Sequence, residues 1–199
     1  KAFLTFCQQE CDWLEDYALF MALDGRLSPY GKVWQDLPHE LVQRKTKALR
    51  EAAKSLADEC NFWRFCQWSF DEQWLPLKHY ANERGVRIVG DMPIFVSAHS
   101  ADVWAHQRLF DLDTNGHPRV IAGVPPDYFS ATGQRWGNPL YRWDEHAKDN
   151  YAWWTERMRR ALKLTDMVRI DHFRGFESYW EIPATAPTAV DGHWLPGPG

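Results

Sequence analysis

The sequence predicts an α/β fold built on a strand–helix–strand unit. Two short β-rich runs, Val86–Asp91 and Met167–Asp171, each end in an aspartate, and an amphipathic helix leads into the second run. Short apolar runs of this kind are typical of buried parallel strands. Such units build doubly wound sheets or (β/α)8 barrels, and the pattern of strands and helices alone leaves both open.

The first 60 residues are predicted to be mostly helical and to form a separate subdomain. Apolar side chains between Trp13 and Met21 recur at spacings of three and four, as on one face of a helix. A turn cluster follows at Leu27–Lys32. Residues 41–56 then form a second amphipathic stretch rich in Lys, Arg, Glu and Ala, which is typical of a solvated helix face.

A long aromatic helix is predicted over residues 61–84, where Phe62, Phe65 and Trp74 lie on or near one face. We expect Pro76 to kink or restart this helix. Gly85 is expected to act as its C-cap. The first predicted strand follows directly.

Residues 92–148 show no sustained hydrophobic period and hold many of the glycines and prolines. We predict one long loop here, and long loops of this kind are usually functional. In a barrel it would leave the carboxyl end of its strand, which is the face where active sites lie. An amphipathic helix is then predicted from Tyr151 to Leu162, with Asp149 or Asn150 as its N-cap.

Composition argues against several classes of partner. The chain carries 23 basic and 27 acidic side chains, a net charge of −4, without a basic stripe, which argues against nucleic-acid and anionic-membrane partners. Mean hydropathy is −0.54, and no apolar run approaches the roughly 18–20 residues that span a bilayer. The four cysteines, none in a CxxC pair, favour free thiols in a reducing compartment. No secretory signal begins the sequence and both ends look cut, so we expect a fragment of a cytoplasmic protein.

Aromatic side chains are numerous, with 12 Trp, 11 Phe and 7 Tyr among 199 residues. A buried indole needs a partner for its N–H group, so 12 Trp exceed what most cores hold. Two interpretations stay open: a Trp-rich core, or flat stacking surfaces in a cleft that binds sugar rings.

The two aspartates at the strand ends are the first candidates for chemistry. In a parallel sheet Asp91 and Asp171 lie at the same edge, and Arg169 faces the same side as Asp171 because the two are two residues apart. An arginine beside a carboxylate favours its ionised form. A nucleophile needs that form to make a covalent glycosyl-enzyme. The alternative is a structural salt bridge inside a barrel.

The run Pro125–Tyr141 is the second candidate. It combines prolines, glycines, aromatic rings, and amide and hydroxyl groups. These groups suit a polyhydroxylated ligand, whose rings stack and whose hydroxyl groups need fixed donors and acceptors. The alternative is a loop that only covers the mouth of a barrel.

Other chemistry has little support in the sequence. His99 and His106 lack the spacing of metal ligands, so no metal site is predicted. No glycine-rich nucleotide motif occurs, and neither Ser97 nor Ser130 lies in a GxSxG context. Three further acids are candidates for a second catalytic carboxyl, although surface or salt-bridge roles are favoured for them: Glu177, Glu181 and Asp191.

Three segments, Ile88–Val96, Gly123–Tyr141 and Val168–Phe176, closely resemble the 4-α-glucanotransferases of glycoside hydrolase family 77, the amylomaltases or disproportionating enzymes. The second segment is highly specific to that family, whereas the motif around Asp171 is shared across the α-amylase superfamily. The resemblance implies an α/β fold that is a segment of a (β/α)8 TIM barrel of the α-amylase superfamily type. The barrel segment would cover residues 61–199, with residues 1–60 as a helical insertion at its N-terminal side.

The resemblance also implies an activity and roles for particular residues. The activity is transfer of α-1,4-glucan segments to a sugar acceptor by a retaining covalent mechanism, with no metal or organic cofactor. Such enzymes are cytoplasmic in bacteria and plastidial in plants. Asp171 matches the family nucleophile, and Arg169 matches the arginine that supports it. The residues expected to bind substrate are Arg169, Asp91, His172, Asp127, Tyr128, Phe129, Trp136 and Asn138.

The family's general acid/base glutamate and second aspartate come from later strands, beyond residue 199. A retaining mechanism needs two carboxyl groups about 5–5.5 Å apart, so we expect the isolated chain to be inactive. Two alternative functions remain. An α-amylase-type hydrolase would carry an Asn-His pair soon after the first strand aspartate, where this chain has Met92–Phe95. A non-catalytic glucan-binding module would not require the intact Arg169–His172 motif.

Overall fold

A computed structural model describes the whole chain, residues 1–199. The chain divides into two units, which we call the helical unit and the strand unit. The helical unit comprises Lys1–Val86 with His99–Ala105, and the strand unit comprises Arg87–Ala98 with His106–Gly199. The boundary after Val86 keeps the long helix that begins at Ala57 in one unit with the helices that it packs against.

The helical unit is built of helices that follow the predicted apolar spacing. Helix α2 buries Leu14, Ala18 and Leu23 on one face, as the three-to-four periodicity indicated. Residues 1–60 are mostly helical, which confirms that prediction. The helices of this unit are α1 (Ala2–Gln9), α2 (Cys11–Leu27), α3 (His39–Val42), α4 (Thr46–Ser55), α5 (Ala57–Glu83) and α6 (Ala101–Ala105), with short 3-10 turns at Ser28–Tyr30 and Trp34–Asp36.

Helix α5 confirms the predicted aromatic helix. Pro76 lies inside it and does not restart it, since a proline removes only one hydrogen bond of a helix that is held by packing. The Arg64 guanidinium donates to both carboxylate oxygens of Glu15 on α2, at 3.0 and 2.5 Å. Gly85 adopts a φ of 73°, and its N–H donates to the Asn82 carbonyl, as expected of a C-cap. No helix of the chain combines the length and the apolar character needed to cross a membrane.

The strand unit contains the predicted strand–helix–strand unit. Strands β1 (Val89–Pro93) and β4 (Met167–Asp171) pair in parallel, and helix α8 (Ala152–Leu164) leads into β4. The N-cap of α8 is Tyr151 and not Asp149 or Asn150 as predicted, although Asp149 Oδ1 accepts a hydrogen bond from the Ala152 N–H at 3.2 Å. Strand β1 begins later than predicted and runs two residues past Asp91.

Residues 92–148 are not one structureless loop, and that prediction was wrong. They contain helix α6, helix α7 (Trp143–Ala147), and strands β2 (Val120–Val124) and β3 (Gln134–Pro139). The two strands join β5 (Ser178–Pro183) and β6 (His193–Pro196) in an antiparallel sheet of order β3-β2-β5-β6. Besides β3, strand β2 pairs with β5, which lies beyond Asp171 in the sequence, so no local pattern indicated that second pairing.

The aromatic residues are divided among buried, half-buried and exposed positions. Trp34 and Trp104 are buried in the helical unit, and Trp154 is buried in the strand unit. The buried Tyr141 is the centre of the aromatic cluster of the strand unit. Its ring centroid lies 4.9–5.8 Å from those of Phe95, Phe110, Trp143, His146, Trp153 and Trp154. Only Trp34, Trp104 and Trp154 of the 12 Trp are buried, so burial in a core does not account for the aromatic composition.

Candidate active site

The ends of the parallel strands bring two carboxylates onto one arginine. Asp91 pairs in register with Arg169, and Pro93 pairs with Asp171. The Arg169 Nη1 lies 2.8 and 2.7 Å from the two oxygens of Asp91, and Nη2 donates to Asp171 Oδ1 at 2.6 Å. The planar guanidinium thus fixes both carboxylates at once, which an ammonium group could not do. Asp171 Oδ2 has no hydrogen-bond partner in the chain.

This charged group is open to solvent in the chain. The side chains of Asp91, Arg169 and Asp171 are 62%, 59% and 55% exposed. Solvent screens ion pairs with this exposure, so their value here is orientation more than stability. Chemistry that must exclude water would need a cover over these strand ends.

His172 follows Asp171 in an unusual state. Its backbone adopts the left-handed conformation, with φ 54° and ψ 43°, which costs a non-glycine residue roughly 1–2 kcal/mol. Burial lowers the pKa of His172, while the neighbouring Asp171 carboxylate opposes that change and Arg174 adds to it. The ring is therefore neutral at neutral pH. Its Nε2 is buried without a hydrogen-bond partner, which is a position that a ligand hydroxyl group would satisfy.

Strands β2 and β3 form a hairpin with a loop of residues 125–133. A close-packed glycine lies at each end of this loop, Gly123 before it and Gly133 as its last residue. A Cβ on Gly123 would lie 2.1 Å from the Gln134 carbonyl oxygen. A Cβ on Gly133 would lie 2.4 Å from the Val124 carbonyl oxygen, and Gly133 has a φ of 68°. Only glycine fits either position without a backbone shift, so the base of the loop is fixed by sequence.

The tip of this loop carries two of the predicted ligand contacts. Tyr128 is 97% exposed and Phe129 is 92% exposed, and their rings contact each other edge to face at 5.6 Å. Asp127 Oδ1 accepts hydrogen bonds from the N–H groups of Phe129 (2.9 Å) and Ser130 (2.8 Å). The Asp127 carboxylate therefore shapes the turn that presents the two rings. Its contact with substrate stays a prediction.

Strand β3 connects the hairpin with the strand ends. The Trp136 ring meets the His172 ring edge to face, with 5.0 Å between centroids. The Asn138 Nδ2 donates to the Val96 carbonyl at 2.9 Å, which ties β3 to the segment that follows β1. The structure thus brings Asp91, Arg169 and Asp171 together and places Trp136 beside His172. It shows no contact between the two loop-tip rings and the carboxylates.

The other polar groups that the sequence pointed to lie elsewhere. His99 contacts Asp24 at 2.7 Å within the helical unit, and no group of His, Cys, Asp and Glu side chains in the chain could hold a metal ion. Burial raises the pKa of Glu181. Glu181 lines a cleft of about 400 Å³ together with Asp111, Arg142, Trp143 and Tyr179, and none of the residues expected to bind substrate lines that cleft.

Two aromatic residues next to the site were missed as site residues. The Tyr141 hydroxyl donates to the Ile94 carbonyl at 2.7 Å. The Phe95 ring lies 5.8 Å from Tyr141 and 6.4 Å from His172. Both lie next to the end of β1. The one sequence signal that could have identified them was their position in the segments Ile88–Val96 and Gly123–Tyr141. Phe95 therefore packs beside His172, and Tyr141 packs against Phe95.

Comparison with known proteins identifies relatives over the whole chain. The profile of glycoside hydrolase family 77, described as 4-alpha-glucanotransferase, matches residues 1–199. A 4-alpha-glucanotransferase of Thermus thermophilus is 57% identical over 199 residues, and one of Streptococcus pneumoniae is 49% identical over 200. Each alignment covers 100% of this chain and 39% of the relative. The chain therefore spans about two fifths of the length of the curated relatives it matches.

Solved structures agree with the sequence comparison. The amylomaltase from Streptococcus agalactiae in complex with acarbose superposes with a TM-score of 0.93 and is 42% identical, over 98% of this chain and 39% of that one. The amylomaltase from Corynebacterium glutamicum shares the fold, with a TM-score of 0.76 over 98% of this chain and 25% of that one, at 21% identity. The sequence, the fold and the arrangement of the strand ends agree: the chain belongs to the 4-α-glucanotransferase family, glycoside hydrolase family 77.

Proposed function

We propose that the complete protein carrying this chain is a 4-α-glucanotransferase that moves segments of α-1,4-glucan to a sugar acceptor through a covalent intermediate on Asp171. The observation that carries the proposal is the state of Asp171 at the end of β4. Its Oδ1 is held by Arg169, its Oδ2 is unpartnered, and the unsatisfied His172 Nε2 belongs to the next residue. The similarity to an amylomaltase solved with acarbose supports a carbohydrate ligand.

In the first step, Asp171 Oδ2 attacks the anomeric carbon of the donor glucan. The glycosidic bond breaks as the bond to Asp171 forms, and the leaving oxygen takes a proton from a general acid. In the second step, a hydroxyl group of the acceptor sugar attacks the same carbon, gives its proton to the same acid/base and releases Asp171. Two inversions at one carbon give net retention of configuration.

Arg169 acts on Asp171 through orientation. Its guanidinium donates a hydrogen bond to Asp171 Oδ1 and so orients the carboxylate whose Oδ2 attacks the sugar. Both Asp91 oxygens accept hydrogen bonds from the same guanidinium, so Asp91 fixes the orientation of Arg169. Asp91 therefore contributes to sugar binding and to the alignment of Arg169. The general acid/base is a glutamate outside residues 1–199, as the family resemblance implies.

The hairpin loop decides between transfer and hydrolysis. Both outcomes share the covalent intermediate, so the product depends on whether a sugar hydroxyl group or water reaches it first. The Tyr128 and Phe129 rings at the loop tip and the Trp136 ring beside His172 offer apolar surface that stacks on sugar rings and displaces water. Asn138 and the backbone groups of the loop add hydrogen bonds to glucan hydroxyl groups.

The wider setting follows from the same assignment. Strands β1 and β4, joined through α8, would be two of the eight strands of a (β/α)8 barrel, and residues 1–60 would form a helical insertion before it. The protein would work in the cytoplasm, where its four free cysteines stay reduced. Because the acid/base glutamate lies outside it, the 199-residue chain alone would transfer no glucan.

The product ladder from maltotriose, incubated with the complete protein, tests this function. We expect glucose together with oligomers longer than maltotriose, since the covalently held sugar passes to an acceptor sugar. Products that are all shorter than maltotriose would mean that water is the acceptor, and the hydrolase alternative would replace the transferase. Binding of maltotriose without any new product would support a glucan-binding module.

A further inference from the structure

Two backbone carbonyl groups at the carboxyl end of β1, those of Pro93 and Ile94, accept hydrogen bonds from side chains. At this point the chain leaves the sheet, and such groups usually turn to water. Here the guanidinium of Arg157, on helix α8, donates to the Pro93 carbonyl at 2.5 Å through Nη2 and to the Ile94 carbonyl at 3.1 Å through Nη1. The Tyr141 hydroxyl donates to the same Ile94 carbonyl at 2.7 Å.

This contact lies directly beside the carboxylates. Pro93 is the register partner of Asp171, and the Ile94 N–H donates to the Asp171 backbone carbonyl at 3.3 Å. Asp91 stands two residues before Pro93 on the same strand. A shift at residues 93 and 94 would therefore move Asp91 along its strand and change where its carboxylate meets Arg169.

Arg157 is itself held in place by aromatic rings. Its guanidinium carbon lies 4.8 Å from the centre of the Trp154 ring and 5.4 Å from that of Trp153, one turn earlier on α8. Cation–π contacts of this kind leave the planar fork free to donate two parallel hydrogen bonds. Because α8 leads into β4 after two intervening residues, Arg157 links the helix before one catalytic strand to the end of the other.

On this geometry, and resting on the proposed function, we propose that Arg157 is a positioning residue for the nucleophile. It sets the register of the carboxyl end of β1 against β4, with Tyr141 as its second donor, and so fixes the Asp91–Arg169–Asp171 arrangement. It touches neither substrate nor the reacting atoms. A lysine at this position would keep the charge, but its compact ammonium group could not reproduce the two-pronged contact with both carbonyl oxygens.

The test is the rate at which Asp171 is labelled in the complete protein by 5-fluoro-α-D-glucosyl fluoride. Fluoride leaves without a proton donor, so the rate reports the reactivity of Asp171 and does not depend on what later accepts the sugar. We expect Arg157→Lys to lower the labelling rate and kcat between about 10- and 100-fold with KM nearly unchanged, because misplacement by a fraction of an ångström weakens the attack. Arg159→Lys, an exposed position on the same helix, is the matched control and should label at the wild-type rate.

A double-mutant cycle separates positioning from a general loss of structure. If Arg157 acts through the Asp91–Arg169 contact, the Arg157→Lys and Asp91→Asn losses will be non-additive, while Arg157→Lys and Trp136→Ala will combine nearly additively. A general structural defect would couple equally to both. Tyr141→Phe, which removes one donor to Ile94, should slow labelling roughly threefold. It decides the question if Arg157→Lys fails to fold.

The outcomes distinguish this inference from the proposed function. A wild-type protein that is not labelled at Asp171 would overturn the proposed function, and the inference would fall with it. A wild-type protein that is labelled, with folded Arg157→Lys and Tyr141→Phe variants that react at the same rate, would overturn the inference alone.

Discussion

The parallel strand pair and the hairpin loop meet the solvent in opposite ways. At the carboxyl ends of β1 and β4, the exposed side chains of Asp91, Arg169 and Asp171 are charged, and Arg169 holds the two carboxylates by direct hydrogen bonds of 2.6–2.8 Å. At the tip of the hairpin loop, the exposed groups are the apolar rings of Tyr128 and Phe129, which contact each other and nothing that is charged. Gly123 and Gly133 fix the base of the loop and Asp127 holds the turn at its tip, while the side chains of Tyr128 and Phe129 stay exposed.

This difference indicates that the strand pair is preorganised for the reaction, whereas the loop tip makes its contacts only when substrate is bound. A carboxylate that must attack one carbon gains from having its geometry set before substrate arrives. Rings that cover a sugar chain gain their contacts only when the sugar is present. Damage to the strand pair should therefore abolish the reaction, whereas damage to the loop should redirect it.

The largest effect is expected from Asp171→Asn in the complete protein. The amide cannot form the covalent intermediate, so total cleavage of maltotriose, transfer plus hydrolysis, should fall roughly 10⁴-fold or more. The measurement is glucose and oligomer release over time. Asp191→Asn changes an exposed aspartate elsewhere in the strand unit and should leave the rate as it is. A rate near the wild type in Asp171→Asn would remove the nucleophile from the account.

The next largest effect is expected from Arg169→Lys. One ammonium group cannot hold Asp91 and Asp171 together, so kcat should fall roughly 100-fold while the melting temperature stays nearly constant, because the group is exposed. Arg119→Lys, which alters a single surface pair with Asp111, is the control. An unchanged kcat in Arg169→Lys would mean that the alignment of the two carboxylates is not needed.

A smaller effect, of a different kind, is expected from the loop. Tyr128→Ala or Trp136→Ala should raise the ratio of hydrolysis to transfer about fivefold, since loss of one ring contact is worth about 1 kcal/mol. The ratio is read from reducing ends formed per oligomer transferred. Tyr128→Phe keeps the ring and should keep the ratio. If both alanine variants transfer as well as the wild type, the loop does not exclude water.

The smallest effect is expected in the stability of the fold in acid, and it comes from a histidine in the buried aromatic cluster of the strand unit. His146 is fully buried in the Tyr141 cluster. Burial lowers the pKa of its imidazole from the usual value of about 6.5, and the nearby Leu109 carbonyl opposes this change only in part. A folded-state pKa below the unfolded one means that the unfolded chain binds more protons. Stability should therefore fall as the pH drops below about 6.5, and His172 contributes in the same sense.

His146→Phe should weaken this pH dependence, because it removes one of the two buried imidazoles and leaves the aromatic packing in place. The measurement is the melting temperature of the complete protein from pH 7.5 down to pH 5. A wild-type slope in the variant would show that the pKa of His146 is the same in the folded and the unfolded protein.

The sequence predicted most accurately the parts whose signal is local. Strand β4 was located residue by residue, because Met167–Asp171 is a short β-rich run with a helix directly before it. The position of Arg169 beside Asp171 followed from the alternation of side chains, and the common edge of the two aspartates followed from the parallel strands. The hydrogen bonds between Arg169 and Asp91 became visible only in the structure. Strands β2 and β3 were missed because they contain glycine, proline and asparagine, and because β2 pairs with β5 about 60 residues later.

Within the site, the missed features depend on backbone geometry or on distant atoms. No pattern announces that His172 adopts the left-handed conformation or that its Nε2 lacks a partner. Asp127 was expected at the substrate, and its hydrogen bonds with the backbone of its own loop became visible only in three dimensions. Arg157 resembled any basic residue of an amphipathic helix, since the carbonyls that it binds lie more than 60 residues earlier.

The most direct measurement of the central claim is mass spectrometry of the complete protein after trapping with 5-fluoro-α-D-glucosyl fluoride and digestion. We expect one peptide that is heavier by a single fluoroglucosyl group, with fragmentation that places the group on Asp171. The Asp171→Asn variant should give no such peptide. A group on another side chain, or the absence of any covalent adduct during active turnover of maltotriose, would contradict the assignment of Asp171 as the nucleophile.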